Sequence, residues 1–182
     1  MNKFDSIRPY KDDEVKSVLS KLCNDSNIVK AFLSLNKTRK LNYLPFKHFL
    51  VTYYLKNKVK NVNSIKEYQD IFEAIVSDVV KTSINNFTVS GLENIHSDKS
   101  YLFISNHRDI TLDSALLNLT LHQNGFKTTN NAVGNNLLEE KWASDLMRLN
   151  KSFIIDRSDK SKKDIYKSLQ LASEFIFNSI IN

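Results

Sequence analysis

At Gly91 the hydrophobic rhythm of the chain changes, and that change limits the fold more than any other feature. Before it the period is helical. Val15, Val18, Leu19 and Leu22 fall on one stripe, and Ser64 with Glu67 three residues later forms a capping box that opens a long helix. That helix is expected to carry Ile65, Tyr68, Phe72, Ile75, Val79 and Ile84 on one face. Between these segments Pro45 begins a run in which Phe46, Phe49, Leu50, Tyr53 and Tyr54 interleave with Lys47, Lys56, Lys58 and Lys60, the pattern of a basic amphipathic helix. After Gly91 short apolar runs alternate with helix-length stretches, as β-α units do. Residues 101–105 (YLFIS) read as the clearest strand, Asn131–Gly134 as a weaker one and Ser152–Ile155 as a third, with helices over 111–123, 139–149 and 160–180. The predicted class is α/β: a helical N-terminal layer followed by β-α units forming a mostly parallel sheet, incomplete at the C-terminus. The chain accordingly divides into a basic helical region, 1–86, acting as a membrane-surface or packing layer, and an α/β portion, 87–182.

Glycine placement removes several chemistries. The three glycines, Gly91, Gly125 and Gly134, cannot assemble a dinucleotide-binding turn, a phosphate loop of the G-x-x-x-x-G-K type or a nucleophile elbow. One cysteine, Cys23, permits neither an internal disulfide nor a cysteine-based zinc cluster. No H-E-x-x-H or comparable ligand spacing occurs, so no metal is expected. The opening residues MNKFDSIRPYKDDE lack the apolar run of a secretory signal. Nor is a spanning helix expected, since the uncharged stretch at 48–55 is far shorter than the roughly 20 residues a span needs.

Charge is distributed unevenly. Residues 1–91 hold 15 basic and 9 acidic groups, whereas 92–182 hold 11 of each, so the whole net charge of +6 lies in the first half. Within it, residues 26–66 carry nine Lys or Arg and no Asp or Glu. One surface there must present an unneutralised positive field, which suits an anionic partner. A basic helical nucleic-acid-binding module is a rival reading. The charges are mostly Lys and no base-reading motif accompanies them, so no nucleic acid is expected.

In open α/β sheets ligands sit beyond the carboxyl ends of the strands. Directly after YLFIS comes Asn106-His107-Arg108-Asp109-Ile110-Thr111-Leu112-Asp113. A histidine in that place, near carboxylates that can hold one tautomer, suits a general base acting on a hydroxyl. The plainer alternative is a loop histidine beside Asp109 as helix N-cap and Asp113 in the first turn.

The wording of the segment carries a resemblance. SYLFISNHRDITLDSALLN is similar to the first signature block of the glycerolipid acyltransferases, in which a strand delivers an Asn-His pair followed by an Asp. NAVGNNLL and then WASDLMRLNKSFIIDR resemble the second block, where a strand ends in an Ile-Asp-Arg-like sequence. Both blocks stand in the family's order, over residues 87–157.

The resemblance implies that His107 deprotonates the acceptor hydroxyl, that Asp113 orients it, and that Arg157 holds the acceptor's phosphate, with Asn106 and Arg108 as neighbouring substrate contacts. The reaction implied moves a fatty acyl group from acyl-CoA or an acyl carrier protein, a co-substrate rather than a bound cofactor, to a hydroxyl of 1-acyl-glycerol-3-phosphate or a related glycerol-phosphate acceptor in phospholipid biosynthesis. Phe46, Lys47, Phe49, Tyr53, Lys56 and Lys58 would then touch an anionic membrane, with the protein peripheral on its cytoplasmic face. The sequence departs from the family at three points. Five residues rather than four separate His107 from Asp113, with Asp109 a competing carboxylate; Lys151 stands near a position where glycine is common; and the family's Glu-Gly-Thr-Arg-like turn and proline-containing strand are not found. The expectation is therefore a site complete for the base and incomplete for the substrate cradle, the alternative role being lipid-surface binding without turnover.

Overall fold

The computed structural model describes residues 2–35, 45–106, 108–109, 112–157 and 161–181. Four helices come first: α1 (Asp12–Asn24), α2 (Ser26–Leu35), α3 (Lys47–Val59) and α4 (Ile65–Ser83). α5 (Leu112–Gln123), β1 (Asn131–Gly134), α6 (Lys141–Leu149), β2 (Ser152–Ile155) and α7 (Lys162–Ile181) follow. Among the described residues, helix is thus followed by an α/β portion with a small open sheet, as the change of period at Gly91 predicts.

α1 is the hub. Asp12, Asp13 and Glu14 complement the positive end of its dipole, and Glu14 Oε2 accepts the Lys11 backbone N–H at 2.7 Å. Its apolar stripe of Val15, Val18, Leu19 and Leu22 is buried against Val62, Tyr68 and Leu149, so one cluster joins the first helices to α6. At about 1.5–3 kcal/mol for each fully buried aliphatic side chain, this cluster is the main cohesive element. Asp12 Oδ1 also accepts the Ile65 N–H at 2.8 Å, tying the start of α4 to the start of α1. The capping box at α4 forms as the spacing predicts: Glu67 N–H donates to Ser64 Oγ, and Ser64 N–H to Glu67 Oε2.

Two smaller clusters complete the packing. Val29, Leu33 and Val51 close α2 against α3, and Val76, Ala115 and Leu119 close α4 against α5. Here the expected face of α4 is corrected. Tyr68, Phe72, Val76 and Val80 face inward, whereas Ile75 and Val79 are exposed, because α5 lies on the Val76 side of the helix.

β1 and β2 pair in parallel, Asn131 opposite Ser152 through Gly134 opposite Ile155, with α6 as the crossover. The outer edge of β2 is met by the N-terminal segment, where Ile154 N–H donates to Ile7 O at 2.9 Å. α7 covers β2 through the Phe153 and Phe175 rings, 4.9 Å apart. The third expected strand does not form. Residues 101–105 lack regular structure and are exposed, Ile104 at 87%. Strand propensity becomes a strand only where a neighbouring backbone completes the ladder, and no described backbone pairs with this run.

Candidate active site

Two groups of polar residues occupy the ends of elements where the sequence places the chemistry. The first opens α5. Asp113, in the first turn, reaches back with Oδ2 to accept the backbone N–H groups of Arg108 at 2.7 Å and Asp109 at 3.0 Å. Asp109 reaches forward, its Oδ1 accepting the Leu112 N–H at 2.7 Å. The competing carboxylates therefore divide the work: Asp109 caps the helix, and Asp113 pins the loop that precedes it. Both also place negative charge at the positive end of the helix dipole. Asn106 and Arg108 are exposed on this loop. His107 lies outside the described residues.

The second group lies beyond the carboxyl ends of the parallel strands. Past the last paired residues, Gly134 and Ile155, the Asn135 side chain joins the two chain exits: Nδ2 donates to Asp156 Oδ1 at 2.6 Å, and Oδ1 accepts the Arg157 N–H at 2.8 Å. Ser168 of α7 adds a hydrogen bond to Asp156 O at 3.0 Å. The Arg157 side chain passes over Gly134. A Cβ at Gly134 would stand 3.4 Å from Arg157 Cδ and would collide with the Asn136 side chain. Arg157 is exposed, and among the described residues no carboxylate pairs with its guanidinium. The pairing with Asp156 that would make it a plain surface ion does not form; Asp159 lies outside the described residues. Asn135 is the residue that motif reading missed, since its role depends on two strands ending side by side.

The departure at Lys151 acquires a physical meaning. Lys151 has φ of 59°, in the left-handed region that glycine enters without strain. It is held there from both ends: its carbonyl accepts the Asn131 N–H at 3.0 Å, where β1 begins, and its Nζ donates to the Thr128 carbonyl. Burial lowers the Lys151 pKa, with the nearby charge of Lys127 acting in the same direction.

α3 presents two different sides. Val51, 1% exposed, and Leu55 face the α2 cluster, while Phe46, Phe49 and Tyr53 are 81%, 70% and 67% exposed. Among the described residues these three aromatics are not part of a core cluster. Lys56 and Lys58 are exposed beside them, Lys58 Nζ lying 5.8 Å from the Tyr54 ring, and Lys47 is half-buried. A simple amphipathic helix is thus too plain a description, because apolar groups occupy both sides.

The remaining histidines make ordinary contacts. His48 and His96 are exposed, and His122 Nε2 lies 2.8 Å from Asp70 Oδ1. Among the described residues no cluster of three or more His, Cys, Asp or Glu side chains could hold a metal ion, and no helix is long and apolar enough to cross a membrane.

Compared with known proteins, residues 86–176, half of the chain, match the family model described as Acyltransferase. No curated protein and no solved structure matches the chain.

Proposed function

The chain belongs to the acyltransferase family, and from that premise we propose that it transfers a fatty acyl group from acyl-CoA or an acyl carrier protein to a hydroxyl of 1-acyl-glycerol-3-phosphate or a related glycerol-phosphate acceptor. The observation that carries this reading is the double hydrogen bond from the Arg108 and Asp109 amides to Asp113. It fixes the backbone immediately after His107, and a general base works only when its position relative to the hydroxyl is held.

His107 takes the proton from the acceptor hydroxyl as the oxygen attacks the thioester carbonyl. The C–S bond then breaks, the acyl group stays on the acceptor oxygen, and the proton passes from His107 to the departing thiolate. Asp113 is the positioning residue for this base. Arg157 offers the acceptor's phosphate a planar fork of donors, and Gly134, having no Cβ, lets the Arg157 and Asn136 side chains lie against the strand end. Asn106 and Arg108 flank the entry.

The acceptor is a membrane lipid, and the exposed side of α3 brings the site to it. The aromatic rings of Phe46, Phe49 and Tyr53 suit the interface, and each nearby cation contributes about 1 kcal/mol at an anionic surface. A peripheral position on the cytoplasmic face of a membrane, in phospholipid biosynthesis, follows from this reading.

The direct test is His107→Ala, assayed for thiol release with acyl thioester and lysophosphatidate. Loss of a general base lowers the rate by on the order of 10² or more. A variant retaining a rate within about threefold of the parent overturns the assignment.

A further inference from the structure

Between α1 and α3 lies a cleft of about 150 Å³ that acyl transfer, as proposed above, does not use. One wall is the α1 face bearing Lys16 and Ser20; the other is the end of α3, with Lys56 in its last turn and Lys60 at its cap. Leu19 and Val59 form the floor and belong to the main core cluster or pack against it. The floor is therefore fixed and apolar, and the rim is cationic. Among the described residues no carboxylate lines the cleft, and none of the three ammonium groups makes a hydrogen bond or ion pair.

Two of these charges have a local reason to be present. Lys56 and Lys60 stand one turn apart at the carbonyl end of α3, where cations complement the dipole. Lys16 lies in the N-terminal half of α1, four and three residues after Asp12 and Asp13, and faces the cleft from the opposite wall. Three like charges around one concave surface repel one another, and an anion between them removes that cost.

We infer that this cleft seats a phosphate monoester, at a place distinct from Arg157. The charge sets the class of ligand. Near neutral pH a phosphate monoester carries roughly −1.5 to −2 and three acceptor oxygens, which match three ammonium groups and the Ser20 hydroxyl. A carboxylate, with one charge and two oxygens, leaves more of the rim unneutralised. The cleft is smaller than the roughly 300–1,000 Å³ of sites for drug-sized ligands, so it holds the phosphate with a short substituent over Leu19 and Val59. The phosphate can come from a soluble ester or, because α3 also carries the exposed aromatic side, from a lipid headgroup. The seat does not rest on the acyl-transfer reading, and its test reads binding rather than turnover.

Calorimetry of the full chain with inorganic phosphate and with glycerol-3-phosphate should show saturable one-to-one binding. The amide resonances of Ser20, Cys23 and Lys60 should shift in parallel. Lys16→Met combined with Lys60→Met, two exposed positions whose change leaves the core untouched, should weaken binding on the order of tenfold or more, and Lys16→Arg should retain it. Phosphatidylcholine vesicles carrying phosphatidic acid or phosphatidylserine at equal surface charge separate the sources. Preference for phosphatidic acid assigns the seat to a lipid headgroup, and equal retention of both assigns it to a soluble ester. The inference is overturned if phosphate leaves those resonances unmoved, or if the double Met variant binds as the parent does.

Discussion

Asp109 and Asp113 hold each other's segment of chain: Asp113 Oδ2 accepts the Asp109 N–H at 3.0 Å, and the Asp113 N–H approaches Asp109 O at 3.4 Å. Asp109 of the loop is thus tied to the first turn of α5 at two points. The exchange gives the two carboxylates different expected effects on replacement. Asparagine caps a helix about as well as aspartate, so Asp109→Asn should leave acyl transfer within about twofold of the parent. Asp113→Ala releases two backbone amides and the loop they belong to, and should lower kcat by about tenfold or more, a loss of about 1.4 kcal/mol in the transition state. Parallel rates and urea unfolding of both variants provide the check. Loss in Asp109→Asn with retention in Asp113→Ala would reverse the roles.

The N-terminal strap supplies a dependence on pH. Arg8 bonds Asp5 Oδ1 at 2.8 Å and Glu14 Oε2 at 2.6 Å, and these hydrogen bonds are the largest cause of the lowered carboxyl pKa of both partners. A carboxyl whose pKa is lowered by folding adds stability above its unfolded value, about 3.9–4.3 for such groups, and that stability disappears as pH falls through the lowered folded value. Arg8→Met should therefore be less stable than the parent at neutral pH, and the gap should narrow as the solution is acidified below pH about 4. Urea midpoints across that range measure it. A gap independent of pH would show that Arg8 acts through packing and its bond to Pro9 O rather than through charge.

Lys151 tests the backbone directly. Its left-handed conformation costs an L-residue roughly 1–2 kcal/mol, whereas glycine enters it freely. Lys151→Ala and Lys151→Gly both lose the bonds to Thr128, so the difference between them isolates the backbone. Lys151→Gly should be the more stable of the two by about 1 kcal/mol in urea unfolding. Equal stabilities would mean that the turn into β2 does not hold φ near 59° in solution.

What the sequence made legible follows the range of the interactions concerned. The α1 stripe and the Ser64–Glu67 cap are set by residues within a few positions of one another, and each forms where the pattern places it, while Asn131–Gly134 and Ser152–Ile155 form strands because each pairs with the other. The run at 101–105 has the same local signature as Ser152–Ile155 and stays irregular, because a ladder is a property of two segments. The buried face of α4 differs from the expected stripe by one position at Ile75 and Val79 for a similar reason: the helix period offers both stripes, and the arrival of α5 selects the one through Val76. At the site, the family's wording points to Asp113 and Arg157. It does not point to Asn135, since nothing in NAVGNN reveals that its amide will meet Asp156 and Arg157, 21 and 22 residues further on.

The two sides of α3 separate stability from surface binding. Phe49 and Tyr53 are 70% and 67% exposed, so replacing either with Ser should change unfolding by no more than about 0.5 kcal/mol. Each ring that enters a lipid interface contributes a fraction of the roughly 1.5–3 kcal/mol of full burial, so the double variant should bind anionic vesicles roughly tenfold more weakly. Val51, 1% exposed on the opposite side, should show the reverse pattern. Val51→Ala should cost about 1–3 kcal/mol of stability while leaving vesicle binding by the folded protein unchanged. Rising salt should weaken binding by the parent, because charges at an exposed surface are screened over about 8–10 Å. Vesicle sedimentation paired with urea unfolding distinguishes the two sides. If Phe49→Ser and Tyr53→Ser unfold the protein and leave its vesicle binding intact, the exposed side of α3 is a packing surface and the membrane assignment fails.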